Sequence, residues 1–204
     1  MKIFSITLLL SVAFAVALAQ NKTSFTTYNR KATEENGVIK IAANENPGLA
    51  WLNDKSFNYG TISFEVKGRD VFQESFVGIA FHGLNDTTYE AVYFRPFNFK
   101  AKDPERKAHA VQYIAVPQFD WPFLRKTYHN QYEKPLANAP DPNDWFRVKI
   151  VVSPNEINVF VNDQPKADLM IKPLVSARGQ KIGFWTGHIS SGEFRNLKLE
   201  PDKQ

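Results

Sequence analysis

The feature of this sequence that most constrains its fold is an alternation of apolar and polar residues with a period of two. In the segment GTISFEVKG, Ile62, Phe64 and Val66 alternate with polar residues. Successive side chains of a β-strand point to opposite faces, so this pattern predicts a strand with one face in the core. The same alternation recurs in WFRVKIVV, residues 145–152, and in EINVFVND, residues 156–163.

Other segments have the composition of short strands, namely GVIKIAA, FVGIAFHG, YEAVYFR, HAVQYIAV, KIGFWTG and EFRNLKLE. No segment after residue 19 shows the caps and apolar period of an amphipathic helix. Many short strands separated by turn residues predict an all-β protein, an antiparallel β-sandwich or barrel. A chain of 204 residues can bury one substantial core, so we expect one domain.

The first residues, MKIFSITLLLSVAFAVALAQ, have the pattern of a secretory signal peptide. Their apolar run of about a dozen residues is shorter than the ~20 that a membrane-spanning helix needs. We therefore predict a signal peptide at 1–19, an N-terminal extension at 20–36 and the sandwich at 37–200. The mature protein is expected to be secreted or periplasmic, with no membrane insertion after signal cleavage.

Charge argues against a nucleic-acid partner. Removing residues 1–19, which contain one lysine and no acid, lowers the net charge from +4 to +3. A nucleic-acid-binding domain normally carries a basic patch or stripe, and no such stripe follows a predicted strand face. We expect no nucleic acid among the partners.

The segment 117–144 is a long loop with an unusual composition. Its first part, PQFDWPFLRKTYHNQYEKPL, contains five aromatic rings among basic and amide side chains. Loops of this length in compact domains are commonly functional or disordered, and disordered segments are poor in aromatic residues. Two interpretations remain: the loop overhangs a binding site, or its rings pack as a satellite core.

Four segments resemble the concanavalin A-like lectin and glucanase superfamily, in its laminin G-like and keto-disaccharide hydrolase-like branches. They are FNYGTISFEVKG, FVGIAFHG, INVFVNDQPKADLMIKPL and GQKIGFWTGHISSGEFRNLKL. YFRPFNF, HAVQYIAVP and WPFLR further resemble secreted bacterial single-domain members. The resemblance implies a two-sheet β-sandwich of the jelly-roll type that binds glycans on its concave sheet face.

Strand parity indicates which side chains face that surface. In YEAVYFR, Val92 and Phe94 form the core pair, which turns Tyr93 and Arg95 the other way. In FVGIAFHG, the parity turns His82 to the face of the small residues before it. HAVQYIAV leaves two alternatives open, since either Gln112 or the pair His109 and Tyr113 faces outward.

A pyranose ring has an apolar face and a rim of hydroxyls, so its site needs an aromatic platform and planar polar groups. The candidate ligand-binding residues are His82, Tyr93, Arg95, His109, Gln112, Tyr113, Trp121, Arg125, His129 and Asn130. We expect Trp121→Ala and Arg95→Ala to weaken ligand binding while leaving the melting temperature nearly unchanged.

These residues predict an exported, lectin-like protein that binds a polysaccharide or oligosaccharide under the aromatic loop. The alternative is a carbohydrate-active enzyme, a glycoside hydrolase or polysaccharide lyase, on the same scaffold. Glycosidases need two suitably spaced carboxyl groups, and no predicted strand carries acids on alternate residues. Whether the protein is an enzyme therefore depends on whether Glu90, Asp120 or Glu133 meets a histidine or second carboxyl in a cleft. An interaction domain without a glycan ligand is a third alternative.

No motif for a metal or organic cofactor is present, so no cofactor and no catalytic metal are expected. A structural calcium ion is possible at the turns LNDK, LNDT or DPND, because clustered Asp and Asn oxygens suit a hard cation. Ordinary turns have the same composition.

Overall fold

The computed structural model describes residues 23–202, which form two antiparallel seven-stranded sheets. In spatial order, the strands of sheet I are β1 (Phe25–Tyr28), β4 (Gly48–Leu52), β13 (Lys181–Thr186), β6 (Val77–Asn85), β7 (Thr88–Phe94), β8 (Val111–Val116) and β9 (Glu133–Lys134). Those of sheet II are β12 (Leu169–Ile171), β11 (Ile157–Val161), β10 (Phe146–Val152), β5 (Gly60–Lys67), β14 (Gly192–Pro201), β3 (Val38–Ile41) and β2 (Ala32–Glu35). The predicted all-β, two-sheet sandwich is confirmed.

The core lies between the two sheets and follows the predicted period of two. Buried and partly exposed residues alternate along the whole of β5, as expected for a strand with one solvated face. The ring of Phe184 in sheet I stacks on that of Phe194 in sheet II, with 4.5 Å between the ring centroids. Such ring contacts between the sheets join them into one core.

Sheet I is buried on both faces. Its outer face, which points away from sheet II, carries a second apolar cluster that includes Trp51, Tyr89, Tyr93 and Trp185. Leu124, from the predicted long loop, packs into this cluster. Strands that are buried on both faces read as continuous apolar runs, which explains why β6, β7 and β8 do not alternate clearly in sequence.

Three short helices occur where no helix was predicted: α1 (Pro96–Phe99), α2 (Pro104–Ala108) and α3 (Trp121–Thr127). Each has a proline in its first two positions. Asp103 and Asp120 cap α2 and α3 by accepting hydrogen bonds from backbone N–H groups of the first turn. The helices are too short for an apolar period to show in the sequence, so the segment 117–144 is more regular than expected and contains both α3 and β9.

The predicted N-terminal extension contributes an edge strand to each sheet, as far as it is described. β1 pairs with β4 and β2 pairs with β3, so the sandwich extends beyond the boundary predicted at Gly37. The predicted signal peptide lies outside the described residues. Among residues 23–202, no helix is long and apolar enough to cross a membrane.

Candidate functional site

Polar side chains converge on the outer face of sheet I where β7, β8 and β9 lie side by side. The strand register places Tyr93 opposite Gln112 and Gln112 opposite Glu133. Arg95, which follows β7, donates hydrogen bonds to the Tyr93 hydroxyl at 2.8 Å and to Gln112 Oε1 at 2.7 Å. It also donates to the backbone carbonyl of His109 at 3.0 Å. We call Tyr93, Arg95, His109, Gln112 and Glu133 the Arg95 cluster.

The ambiguity in the parity of HAVQYIAV is thereby resolved. Gln112 faces outward, and Tyr113 belongs to the core between the sheets. His109 precedes β8, so strand parity does not orient it, and its ring lies in the Arg95 cluster beside Glu133. Of the two alternatives that the sequence left open, the structure has the one in which Gln112 faces outward.

Glu133 joins α3 to the Arg95 cluster and was missing from the predicted site. Its carboxylate accepts two hydrogen bonds from Arg125, at 2.8 Å from Nε and 2.6 Å from NH2. Arg95 NH1 lies 3.5 Å from the same carboxylate. Two guanidinium groups therefore share one carboxylate, and the hydrogen bond to Glu133 raises the pKa of Arg125. Such bidentate pairs fix the orientation of a guanidinium group.

The Arg95 cluster is buried and incompletely satisfied. Gln112 is 0% exposed, and its Nε2 has no hydrogen-bond partner among the described protein atoms. His109 Nε2 also lacks one, although it lies 3.4 Å from carboxylate oxygens of both Glu105 and Glu133. Burial lowers the pKa of His109. A buried donor without a partner costs about 1–3 kcal/mol, so these atoms point to bound water or to a ligand group.

The accessible part of the site is α3. Trp121 is 47% exposed, and the guanidinium carbon of Arg125 lies 5.1 Å from the centre of its ring. One face of the indole is thus held by a cation–π contact. His129 and Asn130 lie beyond the C-terminal end of α3, where Asn130 Nδ2 contacts His129 Nε2 at 2.9 Å. No hydrogen bond of the described residues joins them to the Arg95 cluster.

The sheet face beside α3 is closed by its own rings. Trp51, Tyr89, Tyr93 and Trp185 are between 2% and 5% exposed. Tyr93 and Trp185 pack with 4.7 Å between ring centroids, and the Trp185 indole N–H donates to the Tyr89 hydroxyl. Tyr93 therefore supports the site from below instead of offering a platform to a ligand.

His82 does not lie on the outer face, where its parity had placed it. The pairing of β6 with β7 shifts register after Phe81, and His82 has a φ of 50° at this bulge. A bulge redirects the side chains that follow it. The His82 ring accordingly lies against Phe57 and Tyr59, and its Nδ1 is 2.6 Å from Glu90 Oε1.

His82, Glu90 and Tyr113 form a chain of hydrogen bonds on the inner side of sheet I. His82 Nε2 bonds the backbone carbonyl of Asn58, which can only accept, so this nitrogen carries a proton. Nδ1 and Glu90 Oε1 lie 2.6 Å apart and are joined by a hydrogen bond. The Tyr113 hydroxyl donates to Glu90 Oε2. This chain and the His109 and Glu133 pair are the two places where the described structure brings a carboxyl group to a histidine.

In two of the three turns that suggested calcium, LNDT and DPND, the side-chain oxygens accept hydrogen bonds from the protein. Asp86 accepts a hydrogen bond from the Trp51 indole, and Asn85 and Asp141 accept from backbone N–H groups two residues ahead. Within the described part of the chain, no group of three or more His, Asp or Glu side chains could hold a metal ion. A structural calcium ion stays a prediction.

Buried tyrosines make the fold sensitive to alkali. Burial raises the pKa of Tyr89 from its ordinary value of 10.0 to about 12, and burial also raises the pKa values of Tyr93 and Tyr113. Between these pH values the folded chain retains protons that the unfolded chain releases, so the free energy of unfolding falls as pH rises. We expect a lower urea midpoint at about pH 11 than at about pH 9, and an equal midpoint would contradict this.

Residues 19–200 match the sequence profile of the 3-keto-alpha-glucoside-1,2-lyase-like domain. The chain belongs to this family. No curated protein matches this sequence significantly. Family membership covers nearly the whole chain and agrees with the predicted resemblance to concanavalin A-like proteins, which is confirmed.

Solved structures share the fold of this family member at low sequence identity. The carbohydrate binding module CBM66 from Bacillus subtilis superposes with a TM-score of 0.61 and 14% identity, covering 87% of this chain and 95% of that one. A functionally unknown protein from Saccharomyces cerevisiae gives 0.57 and 12%, covering 88% and 97%. The VIP36 exoplasmic/lumenal domain in its Ca²⁺/Man-bound form gives 0.51 and 10%, covering 86% and 84%. At these identities the likeness shows the fold.

Proposed function

We propose that this protein is an exported, lectin-like protein that binds a polysaccharide or oligosaccharide along α3. The observation that carries the proposal is the exposed indole of Trp121, held on one face by Arg125. A ring fixed in this way can stack on the apolar face of a pyranose with little loss of side-chain freedom.

Arg125 supplies the polar part of the proposed site. A guanidinium group has five N–H donors, and the two bonds to Glu133 leave three for ligand hydroxyls. Because Glu133 is itself held near Arg95, the orientation of Arg125 is set from beneath by the Arg95 cluster. His129 and Asn130, at the end of α3, extend the proposed polar rim.

Two of the compared structures support a sugar ligand. CBM66 is by its name a carbohydrate binding module, and the VIP36 domain was solved with mannose bound. These two proteins share only the fold with this chain, and a fold does not determine a ligand. The proposed sugar site therefore rests on the side chains of α3.

Export is part of the proposal. Residues 1–19 have the composition of a signal peptide, and the protein is proposed to be secreted or periplasmic, without a nucleic-acid partner. N-terminal sequencing of the protein from its source should give Gln20 as the first residue. A chain that keeps Met1 would contradict export through signal cleavage.

Trp121→Ala is expected to reduce affinity for any polysaccharide that the protein binds by about tenfold or more. A tryptophan that becomes buried in a complex commonly contributes a large share of the binding energy. Since the ring is exposed, the melting temperature should change little. Phe123→Ala is the matched control: Phe123 lies on the same helix, is 42% exposed and makes no contact with Arg125 among the described interactions. Titration of the three proteins measures the effect, and equal affinities for Trp121→Ala and Phe123→Ala would contradict the site.

Catalysis is a second candidate function, favoured by one observation beside α3. His109 Nε2 lies 3.4 Å from Glu133 Oε1, which brings a titratable pair to the edge of the proposed binding site. An enzyme acting on the bound glycan, a hydrolase or a lyase, would release reducing ends or unsaturated products. Assays for both products with wild type and His109→Ala test this, and a glycan that is bound and recovered unchanged excludes it for that glycan.

A further inference from the structure

A cavity of about 240 Å³ is lined by residues that belong neither to α3 nor to the Arg95 cluster. Its walls come from the residue before β5, the turn between β10 and β11, and the segment that follows β12. Pockets for drug-sized ligands typically measure roughly 300–1,000 Å³. The cavity therefore suits a smaller molecule, about the size of one sugar ring.

The floor of the cavity is the pair formed by His82 and Glu90. An ionised carboxylate offers about four lone-pair positions. In the described structure, Glu90 uses one oxygen for His82 and the other for Tyr113, which leaves a free lone-pair position on each. Its side chain is 2% exposed, so a ligand that donates to either oxygen has to reach it through the cavity. The hydroxyl groups of a ligand are suitable donors.

The lining indicates the charge of the ligand. The titratable side chains that line the cavity are Tyr59, His82 and Glu90. Ser153 and Ser176 add two hydroxyl groups to the lining. His82 and Glu90 are already paired with each other, with 2.6 Å between Nδ1 and Oε1, so neither is free to pair with a charged ligand group. Burying a charged ligand group against such a lining would be costly, since a buried charge needs a partner. A neutral ligand is favoured.

The walls offer flat apolar surfaces. Tyr59, Pro154 and Pro173 line the cavity together with Leu174, while Ser176 lies exposed at its edge. Apolar walls above a hydrogen-bond acceptor match the C–H face and hydroxyl rim of a pyranose ring.

Backbone strain accompanies this arrangement. His82 adopts a left-handed φ of 50°, a conformation that is uncommon for residues other than glycine. Strained residues concentrate at functional sites, where surrounding structure holds them in place. Here the register shift in β6 turns the His82 ring from the outer face of the sheet to the floor of the cavity.

We propose that this cavity is a second binding site, which holds a single neutral, hydroxyl-rich ring with Glu90 as the hydrogen-bond acceptor. It is separate from α3 and does not depend on the site proposed there. A protein with both sites could bind two sugar units of one glycan, or it could bind two different glycans.

The test uses calorimetric titration with three neutral probes, the methyl α-pyranosides of glucose, galactose and mannose, and with glucuronate as the charged counterpart. We expect at least one neutral probe to bind and glucuronate to bind more weakly. Failure of all three neutral probes, or tighter binding of glucuronate, would overturn the proposal.

Variants locate the binding. Ser176→Trp should fill the cavity from its edge and lower affinity by about tenfold or more. Ser176→Ala removes only one hydroxyl and leaves the cavity open, so it should bind the probe much more tightly than Ser176→Trp does. Glu90→Gln keeps the shape of the side chain and removes acceptor capacity, so affinity should fall while the fold is retained.

The variant Trp121→Ala separates this site from the one on α3. It should bind the neutral probe as wild type does, even if it loses polysaccharide binding. Equal affinity of Ser176→Trp and Ser176→Ala, or a loss of probe binding in Trp121→Ala alone, would place the probe elsewhere and overturn the assignment.

Discussion

Replacing Glu90 by leucine is expected to lower the free energy of unfolding by about 3–5 kcal/mol, the usual cost of removing one partner of a buried pair. Glu90 is 1% exposed, and its carboxylate is the common partner of His82 and Tyr113. Leucine fills a similar volume but leaves the imidazole Nδ1 and the tyrosine hydroxyl without a partner inside the protein. Each unsatisfied group adds a desolvation cost.

Chemical denaturation of Glu90→Leu measures this effect, with Glu35→Leu as the control. Glu35 is also paired, with Lys40 Nζ at 2.6 Å, but both side chains are solvent-exposed. Exposed ion pairs contribute little to stability, so this variant should unfold like wild type. If Glu90→Leu also unfolded like wild type, the chain of hydrogen bonds would not be a stabilising element.

Replacing Glu133 by leucine is the second large expected effect, again about 3–5 kcal/mol of unfolding free energy. Arg95 is 4% exposed and would lose its only nearby carboxylate among the described residues. Arg125 would lose both hydrogen bonds that tie α3 to the sheet. Stability and polysaccharide binding should therefore fall together in this variant.

Asp141→Leu is the matched control for Glu133→Leu. Asp141 lies 3.4 Å from Lys100, and both of these side chains are more than half exposed. Asp141 also accepts a turn hydrogen bond from the Asn143 N–H, so its loss should lower the denaturation midpoint far less than Glu133→Leu does and should leave glycan affinity unchanged. A Glu133→Leu variant that kept wild-type stability would show that Arg95 does not need its carboxylate partner.

Arg95 itself departs from the expectation based on sequence. The sequence predicts an arginine that is exposed in a sugar site, and such a residue can be replaced by alanine with little loss of stability. The structure buries Arg95 and bonds it to Tyr93, Gln112 and the His109 carbonyl, so Arg95→Ala should destabilise the protein. Of the two variants first considered, only Trp121→Ala tests binding without a large change in stability.

Strands β5, β10 and β11 of sheet II could be predicted because the outer face of that sheet is solvated. In β10 and β11 the apolar residues alternate with polar ones, and the inward-facing set is the one that the period of two indicates. Sheet I gives no such signal, since α3 and the outer-face rings cover it. That is why Gln112 and Tyr113 could not be assigned to faces from sequence.

The sequence indicates on which face of the sheet Glu90 lies, but it does not indicate this for His82. Glu90 shares the parity of Val92 and Phe94 in β7, so the alternation alone sends its carboxylate toward the core, where it needs a partner. His82 reaches Glu90 only through a bulge, and no local residue pattern marks that bulge. The link between Arg125 and Glu133 joins α3 to β9, two short elements whose existence the sequence did not reveal.

A glycan-array and polysaccharide screen of the purified protein shows whether this chain binds a carbohydrate through Trp121. We expect wild type to retain at least one glycan and Phe123→Ala to retain the same one, whereas Trp121→Ala should not retain it. A screen in which wild type retains no glycan, or in which Trp121→Ala retains the same glycans equally well, would contradict this expectation.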